Sequence, residues 1–356
     1  MKRAGVGIFA AVAWLTLVAV RAGPGGDISN HYTDHLRHMG ESLILLERGF
    51  ELYRSPYGPL ARAVGVPCDD HLGLFEDRTA PYPPMGVLLH APWALAERAQ
   101  WLSSQTAHQG VVLMWSLVAL FAVALLLSLL EGAPWVAWAG ALFTLVPLLL
   151  GTAANGFFDV AFACAGIAGL VAWKHRHVDL AVVCLALAGA LHFRALVFLV
   201  PGVALVFRGA KWPTLATVVA LLLPALAAGA TVASTLGTIP AHNPLHFSHG
   251  NRSLAAFGVA TAMLAAVLVK RQAWLTFGMV VGASVLATFE RSHGYWHALP
   301  MALSALGAAL EAKAVSRGTW GLLWAWVWVS GAITHRTLEG PFWSWVSGAL
   351  HRSVAE

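Results

Sequence analysis

An acidic residue at the start of the longest hydrophilic stretch is the first candidate for chemistry. Asp34 lies near the beginning of the segment from Tyr32 to Pro84, which follows the first apolar run of the chain. A carboxylate can take a proton from an acceptor hydroxyl when it lies within hydrogen-bonding reach. Asp27, which is nearer to the end of the apolar run, is the alternative base. Asp34 can also cap the helix that follows, so a catalytic and a structural role are both open.

Cationic side chains form the second group of candidates. A phosphate leaving group needs positive charge near the oxygens on which negative charge grows. Suitable side chains occur at interruptions of the apolar runs, and they are His192, Arg194, Arg252 and Arg291. His192 and Arg194 have a second interpretation, in which they only extend towards the membrane surface.

A third group would shape a site rather than react. Its members lie close in sequence to polar interruptions of the apolar runs, and they are Tyr82, Pro83, Pro84, Asn155, Asn251 and His293. The two prolines restrict the backbone and, taken alone, predict a rigid turn. Asn155, together with nearby Asp159, is also typical of a helix cap.

The composition indicates that these residues lie in an integral membrane protein. The chain has 356 residues, of which 58% are hydrophobic and 11% charged. Soluble domains carry about 25% charged residues, more than twice that share. The net charge of +5 comes from dispersed cations, which fits Lys and Arg on the cytoplasmic side of a membrane and excludes a nucleic-acid partner.

Apolar runs long enough to cross a bilayer recur along the chain. We predict an all-α, polytopic protein of about ten to twelve spans, organised as one integral membrane domain. The first span is 1–20, in which the apolar run from Ala4 to Val20 follows Lys2 and Arg3; this pattern could also begin a signal peptide. An uncleaved helix is favoured because the polar segment after it needs an anchor. Residues 21–84 form an outer-face loop, 108–334 a helical membrane bundle, and 335–356 an amphipathic tail. Within the bundle the candidate spans are 108–130, 133–151, 156–173, 212–233, 254–269, 273–289, 295–311 and 319–334.

Two apolar segments do not have the length of one span. Residues 85–97 are too few to cross alone, which predicts a half-span or a surface piece. Residues 180–207 are too many, and basic residues flank both ends. Placing the basic turns in the cytoplasm therefore requires two short helices that meet on the outer side at His192 to Arg194. The same rule places most of the unusual polar residues on the outer face.

A helix is predicted over about residues 34–53, because apolar residues recur there at spacings of three and four. The apolar set is Leu36, Met39, Leu43, Leu46, Phe50 and Tyr53. The remaining positions carry charged residues, namely Arg37, His38, Glu41, Glu47 and Arg48. Such a helix would lie on the membrane surface with its apolar face towards lipid. The tryptophans near the C-terminus, Trp320, Trp324, Trp326, Trp328, Trp343 and Trp345, are predicted as membrane-interface anchors.

An outer-face site restricts the donor that a transferase could use. Nucleotides are not normally supplied there, so an energy-rich donor must arrive on a lipid, and a polyprenyl phosphate sugar is the obvious one. Its phosphate is already a good leaving group. One carboxylate base and two or three cations would then suffice, and no metal or other cofactor is required.

The order of several short motifs is similar to that of a known family. Asp34 is followed by Gly49 and Tyr53 and then by the Tyr-Pro-Pro sequence at residues 82–84. Further along come Ala-Asn-Gly at 154–156, His192 and Arg194 where the family has a lysine, Asn-Arg-Ser-Leu at 251–254, and the turn at 291–297. In this order the chain, from residue 30 to about residue 311, resembles the lipid-dependent membrane glycosyltransferases of the GT-C superfamily. It is most similar to glycosyltransferase family 87, the bacterial polyprenol-phosphate-mannose type.

The resemblance implies a function and a location. The family's first-loop aspartate is its catalytic base, which corresponds to Asp34. The donor would be a polyprenyl phosphate sugar, with a mannose-like hexose or a pentose, and the acceptor a lipid or a glycan. The protein would lie in a bacterial inner (plasma) membrane with its active site on the periplasmic face, in contact with membrane lipids.

Two other functions stay open on the sequence alone. A transporter or flippase of lipid-linked sugars would carry charges near mid-membrane and internal repeats, which are not evident here. An inactive relative would bind the lipid without transfer. A metal centre at His242, His246 and His249 is disfavoured, because Pro244 lies among them and no acidic residue is near. The three cysteines form neither a zinc motif nor a disulfide framework.

Overall fold

The structure, a computed structural model, describes residues 32–66, 77, 79–154, 156–238, 250–289 and 295–335. Every regular element in these ranges is helical, which confirms the all-α prediction for them. The predicted first span and the C-terminal tail after His335 lie outside the described residues. The chain divides into two compact units, which are treated separately.

The first unit contains the described parts of 1–128, 152–195 and 209–237. Its helices are α1 (Tyr32–Arg48), α2 (Tyr57–Val64), α3 (Pro84–Leu88), α4 (Ala91–Arg98), α5 (Ser104–Leu129), α8 (Asp159–Lys174), α9 (Val178–Leu191) and α11 (Trp212–Thr238). A 3₁₀ turn, Gly49–Tyr53, follows α1, and another, Phe193–Phe198, follows α9.

The second unit contains the described parts of 129–151, 196–208 and 238–356. It begins with α6 (Trp135–Gly140), a π-helical turn (Ala141–Leu145) and most of α7 (Val146–Ala154). Its other elements are α10 (Leu199–Phe207), α12 (Gly250–Lys270), α13 (Trp274–Phe289), α14 (Tyr295–Ser304), a 3₁₀ turn (Ala305–Ala309) and α15 (Arg317–His335).

Within the described ranges, three helices are long and apolar enough to cross a membrane: Ser104–Leu129, Trp135–Ala153 and Trp212–Gly229. At about 1.5 Å per residue, the 26 residues of α5 extend about 39 Å, compared with about 30 Å for the hydrocarbon core. The other apolar helices are shorter. The structure thus supports membrane-spanning helices, while the total of ten to twelve spans stays a prediction.

Both segments of unusual length consist of short helices, while the half-span or surface position of 85–97 and the outer-face position of residues 192–194 stay predictions. Residues 85–97 fall into the short helices α3 and α4. The apolar run from 180 to 207 breaks at His192, whose backbone is extended (φ −153°, ψ 138°) between α9 and the following 3₁₀ turn. An extended residue cannot continue the helical hydrogen-bond ladder, so α9 ends at the predicted corner, His192 to Arg194.

In the first unit, close packing of α3 places the Tyr82 turn against this corner. Helix α3 contacts both α1 and α9. Gly86 of α3 lies so close that a Cβ atom there would meet the carbonyl oxygen of Leu191 and the ring of Phe158. Glycine is required at that point because only its lack of a side chain permits the approach.

Polar contacts at helix ends fix two further segments of the first unit. Lys174 Nζ donates to the carbonyl of Ser128, 3.0 Å away, which ties the end of α8 to the end of α5. The Asp179 carboxylate accepts from the backbone N–H of Lys211 at 3.0 Å and from Thr214 Oγ1 at 2.7 Å. These bonds satisfy donors at the start of α11 that no helical carbonyl can reach.

In the second unit, tryptophans of α15 pack inside the protein. Trp320, Trp324 and Trp326 are at most 5% exposed, so their prediction as interface anchors is wrong. The Trp324 ring occupies the space above Gly140, and Trp328 Nε1 donates to Thr144 Oγ1 at 2.9 Å. Small and hydroxyl-bearing residues admit large rings and satisfy their N–H groups, which lets the helices approach closely.

Candidate functional site

Helix α1 buries charged residues rather than exposing them. Arg37, His38 and Glu41 are 3%, 2% and 1% exposed, whereas Leu46 is 51% exposed. A helix lying on the membrane surface would leave these charged positions exposed, so that prediction is wrong for Arg37, His38 and Glu41, which are buried within the protein. The three buried groups compensate one another, since His38 Nδ1 lies 3.0 Å and Arg37 Nε 3.5 Å from the Glu41 carboxylate. Paired charges can be buried where single ones cannot.

Tyr82, one of the predicted site residues, lies at the centre of this cluster. Its ring centroid is 5.1 Å from that of His38, 5.0 Å from that of Phe158 and 5.2 Å from that of His192. The Arg37 guanidinium lies over the Tyr82 ring, with Cζ 5.4 Å from its centroid, a favourable cation–π geometry. Tyr82 thus connects α1 to the corner after α9.

Pro83 and Pro84 restrict the backbone that directly follows Tyr82. Pro83 precedes α3 with φ −58° and ψ 147°, and Pro84 is the first residue of that helix. Proline suits the first helical position because its φ is already helical and it has no N–H to satisfy. Both residues are buried, so the turn is part of the packed protein.

The corner after α9 carries the second half of the cluster. His192 and Arg194 are 0% and 1% exposed, so the interpretation in which they extend to the membrane surface is wrong. Arg194 Nη1 donates to Asp159 Oδ1, and His192 Nε2 lies 3.5 Å from the same oxygen. The Arg194 backbone N–H donates to His192 Nδ1 at 3.0 Å. In neutral His192 the ring proton is therefore on Nε2, facing Asp159.

Asp159 does not have the capping role that its position predicts. Asp159 is the first residue of α8, so the cap position belongs to Phe158, which makes no side-chain capping bond. The carboxylate, with 14% of the side chain exposed, is directed to Arg194 and His192 instead. The sequence contains one indication of this pairing, which is an acidic residue within an otherwise apolar run. A carboxylate at membrane depth is costly and is paired where it occurs.

Sequence reasoning also missed His90, which lies between α3 and α4. It is fully buried, and its ring centroid is 5.2 Å from that of His38, 5.5 Å from that of Trp115 and 5.8 Å from that of Phe158. Nothing in its local sequence distinguishes it from a loop histidine. Only the packing of α1 on this segment makes it part of the cluster.

A tyrosine borders the cluster from the 3₁₀ turn after α1. Tyr53 is 1% exposed, and its hydroxyl has no hydrogen-bond partner among the residues that the structure describes. Burial, and to a lesser degree the charge of Glu41, raises the pKa of Tyr53 far above its usual range. The hydroxyl therefore stays protonated and neutral at any physiological pH.

The arrangement contains two carboxylate–histidine pairs, Glu41 with His38 and Asp159 with His192, on either side of Tyr82. Against an ionised Glu41, His38 must donate from Nδ1, so proton exchange would occur at its Nε2. Arg37 and Arg194 supply one cation to each pair. Such a centre has the group types for proton transfer and for binding an anion at its edge. Within the ranges that the structure describes, no three His, Cys, Asp or Glu side chains are arranged to hold a metal ion.

The other predicted site residues are not brought together by the described structure. Asp34 belongs to α1, one turn before His38, but its side chain is outside the described residues. Asn251 and Arg252 are in the first turn of α12, in the second unit, again without described side chains. The remaining three, Asn155, Arg291 and His293, lie outside the described residues.

Comparison with known proteins adds no relative. No family model matches the chain, and no curated protein and no solved structure matches it.

Proposed function

We propose that this protein is a membrane glycosyltransferase. It transfers a sugar from a polyprenyl phosphate carrier to an acceptor hydroxyl on the non-cytoplasmic face, in a bacterial inner membrane. One observation carries the proposal. Helix α1, which contains Asp34, meets the Tyr82 turn and the His192–Arg194 corner in one buried polar cluster. These are three of the segments on which the resemblance to the GT-C superfamily depends.

In the proposed reaction, Asp34 takes the proton of the acceptor hydroxyl as that oxygen attacks the sugar carbon. The bond from the sugar to the phosphate oxygen breaks, and the phosphate leaves on its lipid. Arg194 and His192 bind the departing phosphate, and Arg252 and Arg291 stay donor-phosphate ligands predicted from the sequence alone. Tyr82, Pro83 and Pro84 shape the site, with Asn155, Asn251 and His293 at its edge.

The cost of the cluster supports a functional role. Burying a charge without a partner is expensive, and even paired charges often stabilise a protein less than apolar residues would. The cluster buries Arg37, Glu41 and Arg194 almost completely and Asp159 largely. In membrane proteins, ionisable groups in such positions mark catalytic, transport or proton-transfer sites.

A transfer assay tests the proposal directly. The purified chain in lipid nanodiscs is supplied with polyprenyl phosphate sugars carrying labelled mannose, glucose or arabinose, together with extracted bacterial lipids and glycans as acceptors. We expect labelled sugar in an acceptor, at a rate that depends on the donor sugar. Donor lipid that crosses the bilayer of proteoliposomes without product would favour a flippase instead. Absence of both donor binding and transfer would contradict the proposal.

A further inference from the structure

Helix α1 also borders a cavity, on the side away from the buried cluster. Met39, Gly40 and Leu43 of α1 line this cavity of about 620 Å³, which is open to the outside and is also lined by the end of α2 and the α4–α5 connection. This volume lies within the range of about 300–1,000 Å³ that is usual for small-molecule sites. The polar cluster uses Arg37, His38 and Glu41 instead. One helix therefore separates two differently lined regions of the first unit.

The cavity has an apolar side and a polar side. Its apolar lining is Met39, Leu43, Val66, Ala94 and Leu102. Its polar lining is a nearly continuous run from the end of α4 to the start of α5, namely Glu97, Arg98, Gln100, Ser103 and Ser104. An apolar surface with a few converging polar groups is the usual form of a ligand site.

The charges at the polar side disfavour an anionic ligand. Among the described lining residues, Arg98 is the cation and Glu97 the carboxylate. Arg98 is already paired, since it donates to Glu47 beside the cavity, whereas Glu97 accepts only from the neutral Ser104 hydroxyl. A phosphate there would meet an excess of negative charge. Carboxylates, an amide and hydroxyls together offer both acceptors and donors, which matches a neutral group with several hydroxyls.

We propose that this cavity binds a neutral, hydroxyl-rich headgroup attached to an apolar chain, with the hydroxyls at Glu97, Gln100 and Ser104 and the chain against Met39 and Leu102. Resting on the proposed function, this ligand is the sugar-bearing or polyol-bearing lipid that accepts the transferred sugar. The phosphate-linked donor would be held elsewhere, at the cations of the cluster. Donor and acceptor would thus approach α1 from two sides.

Gln100 provides a substitution that removes a ligand contact without damaging the fold. It follows α4 with φ 59°, while its backbone N–H donates to Glu97 O at 2.9 Å. Glycine adopts this left-handed conformation more easily than glutamine. Gln100→Gly should therefore be at least as stable as the unmodified protein, yet it lacks the side-chain amide. Gln272 has φ 57° after α12 and does not line the cavity, so Gln272→Gly is the matched control.

Protection of a cysteine from labelling reports occupancy without any need for transfer. Leu102→Cys, in a background with the native cysteines replaced, places a thiol in the cavity lining, and Gln105→Cys places one on the exposed surface of α5. The full chain in nanodiscs is treated with a maleimide in the presence of hexyl β-glucopyranoside, hexyl phosphate or hexanol. We expect hexyl glucoside to slow labelling of Leu102→Cys at concentrations where the other two do not. Labelling of Gln105→Cys should not change.

The variants then connect protection to the polar side. Added to Leu102→Cys, Gln100→Gly and Glu97→Gln should each weaken the apparent affinity for hexyl glucoside about two- to tenfold, as expected for one lost hydrogen bond. Gln272→Gly should leave that affinity unchanged. Equal protection by hexanol, equal or stronger protection by hexyl phosphate, or no protection at all would overturn the proposal.

Failure of this inference differs from failure of the proposed function. Selective protection by hexyl glucoside without sugar transfer from any donor would leave the cavity as a glycoside site and contradict the transferase. Sugar transfer with no protection, and with the acceptor KM unchanged in Gln100→Gly, would retain the transferase and overturn the cavity as its acceptor site.

Discussion

The pair formed by Arg194 and Asp159 permits a quantitative test of the buried cluster. In Arg194→Met the Asp159 carboxylate keeps only His192, 3.5 Å away, as a described partner. Breaking a buried ion pair from one side costs about 3–5 kcal/mol. Because 14% of the Asp159 side chain is exposed, we expect the lower end, about 3 kcal/mol. In Asp159→Asn the Arg194 guanidinium, whose side chain is 2% exposed, loses the carboxylate to which it donates, so a similar loss is expected.

The double variant Arg194→Met/Asp159→Asn removes both charges together. Replacing a buried pair by uncharged groups of similar volume is often nearly neutral. The double variant should therefore lose about 1 kcal/mol, less than either single variant. The free energy of unfolding is measured by SDS titration in mixed micelles, with tryptophan fluorescence as the signal. If either single variant lost less than about 1 kcal/mol, or if the two losses simply added, the pairing of these side chains would be refuted.

Three further predictions concern packing, ionisation and topology. Tyr53→Phe should raise the free energy of unfolding by about 1 kcal/mol, because it removes a buried hydroxyl with no described partner. Above about pH 10 the unfolded state loses the Tyr53 proton while the folded state keeps it, so stability should fall with rising pH less steeply in the variant; identical pH profiles would contradict this. Gly86→Ala should lower the free energy of unfolding by about 1–3 kcal/mol, because the added methyl group overpacks the site. Gly151→Ala, whose Cβ would meet nothing within 4 Å, should be neutral or slightly stabilising. Equal effects of the two substitutions would contradict the close packing at Gly86. A cysteine at Glu76, in a cysteine-free background, should react with an impermeant reagent in spheroplasts, and reaction only after lysis would reverse the outer-face assignment.

Much of the helical framework could be predicted from periodicity and apolar run length. The helix after Asp34, the short segments within 85–97 and the break at His192 all follow from patterns that are local in sequence. Apolar runs separated by basic turns determine where helices can begin and end. The predictions that agree with the structure therefore concern features that the local sequence of each helix determines.

The environment of individual side chains could not be predicted in the same way. Arg37, His38 and Glu41 were assigned to the outside of α1 because they are charged, yet they are buried against one another. Asp159 was interpreted as a cap because it begins a helix, and His90 had no signal at all. A buried polar residue is identified by its partner, and these partners come from segments far apart in the chain. The prediction that Trp320, Trp324 and Trp326 are interface anchors was wrong for the same reason, because residue type alone does not distinguish a protein core from a membrane interface.

The role of Asp34 is the central claim, and one substitution tests it. Asp34→Asn keeps the size of the side chain at the third position of α1, but the amide cannot accept a proton from a hydroxyl. In purified protein that binds the donor normally, we expect sugar transfer to fall by about two to four orders of magnitude with little change in stability, while Asp27→Asn transfers at a nearly normal rate. Near-normal transfer by Asp34→Asn, with a donor that the unmodified protein uses, would contradict the mechanism.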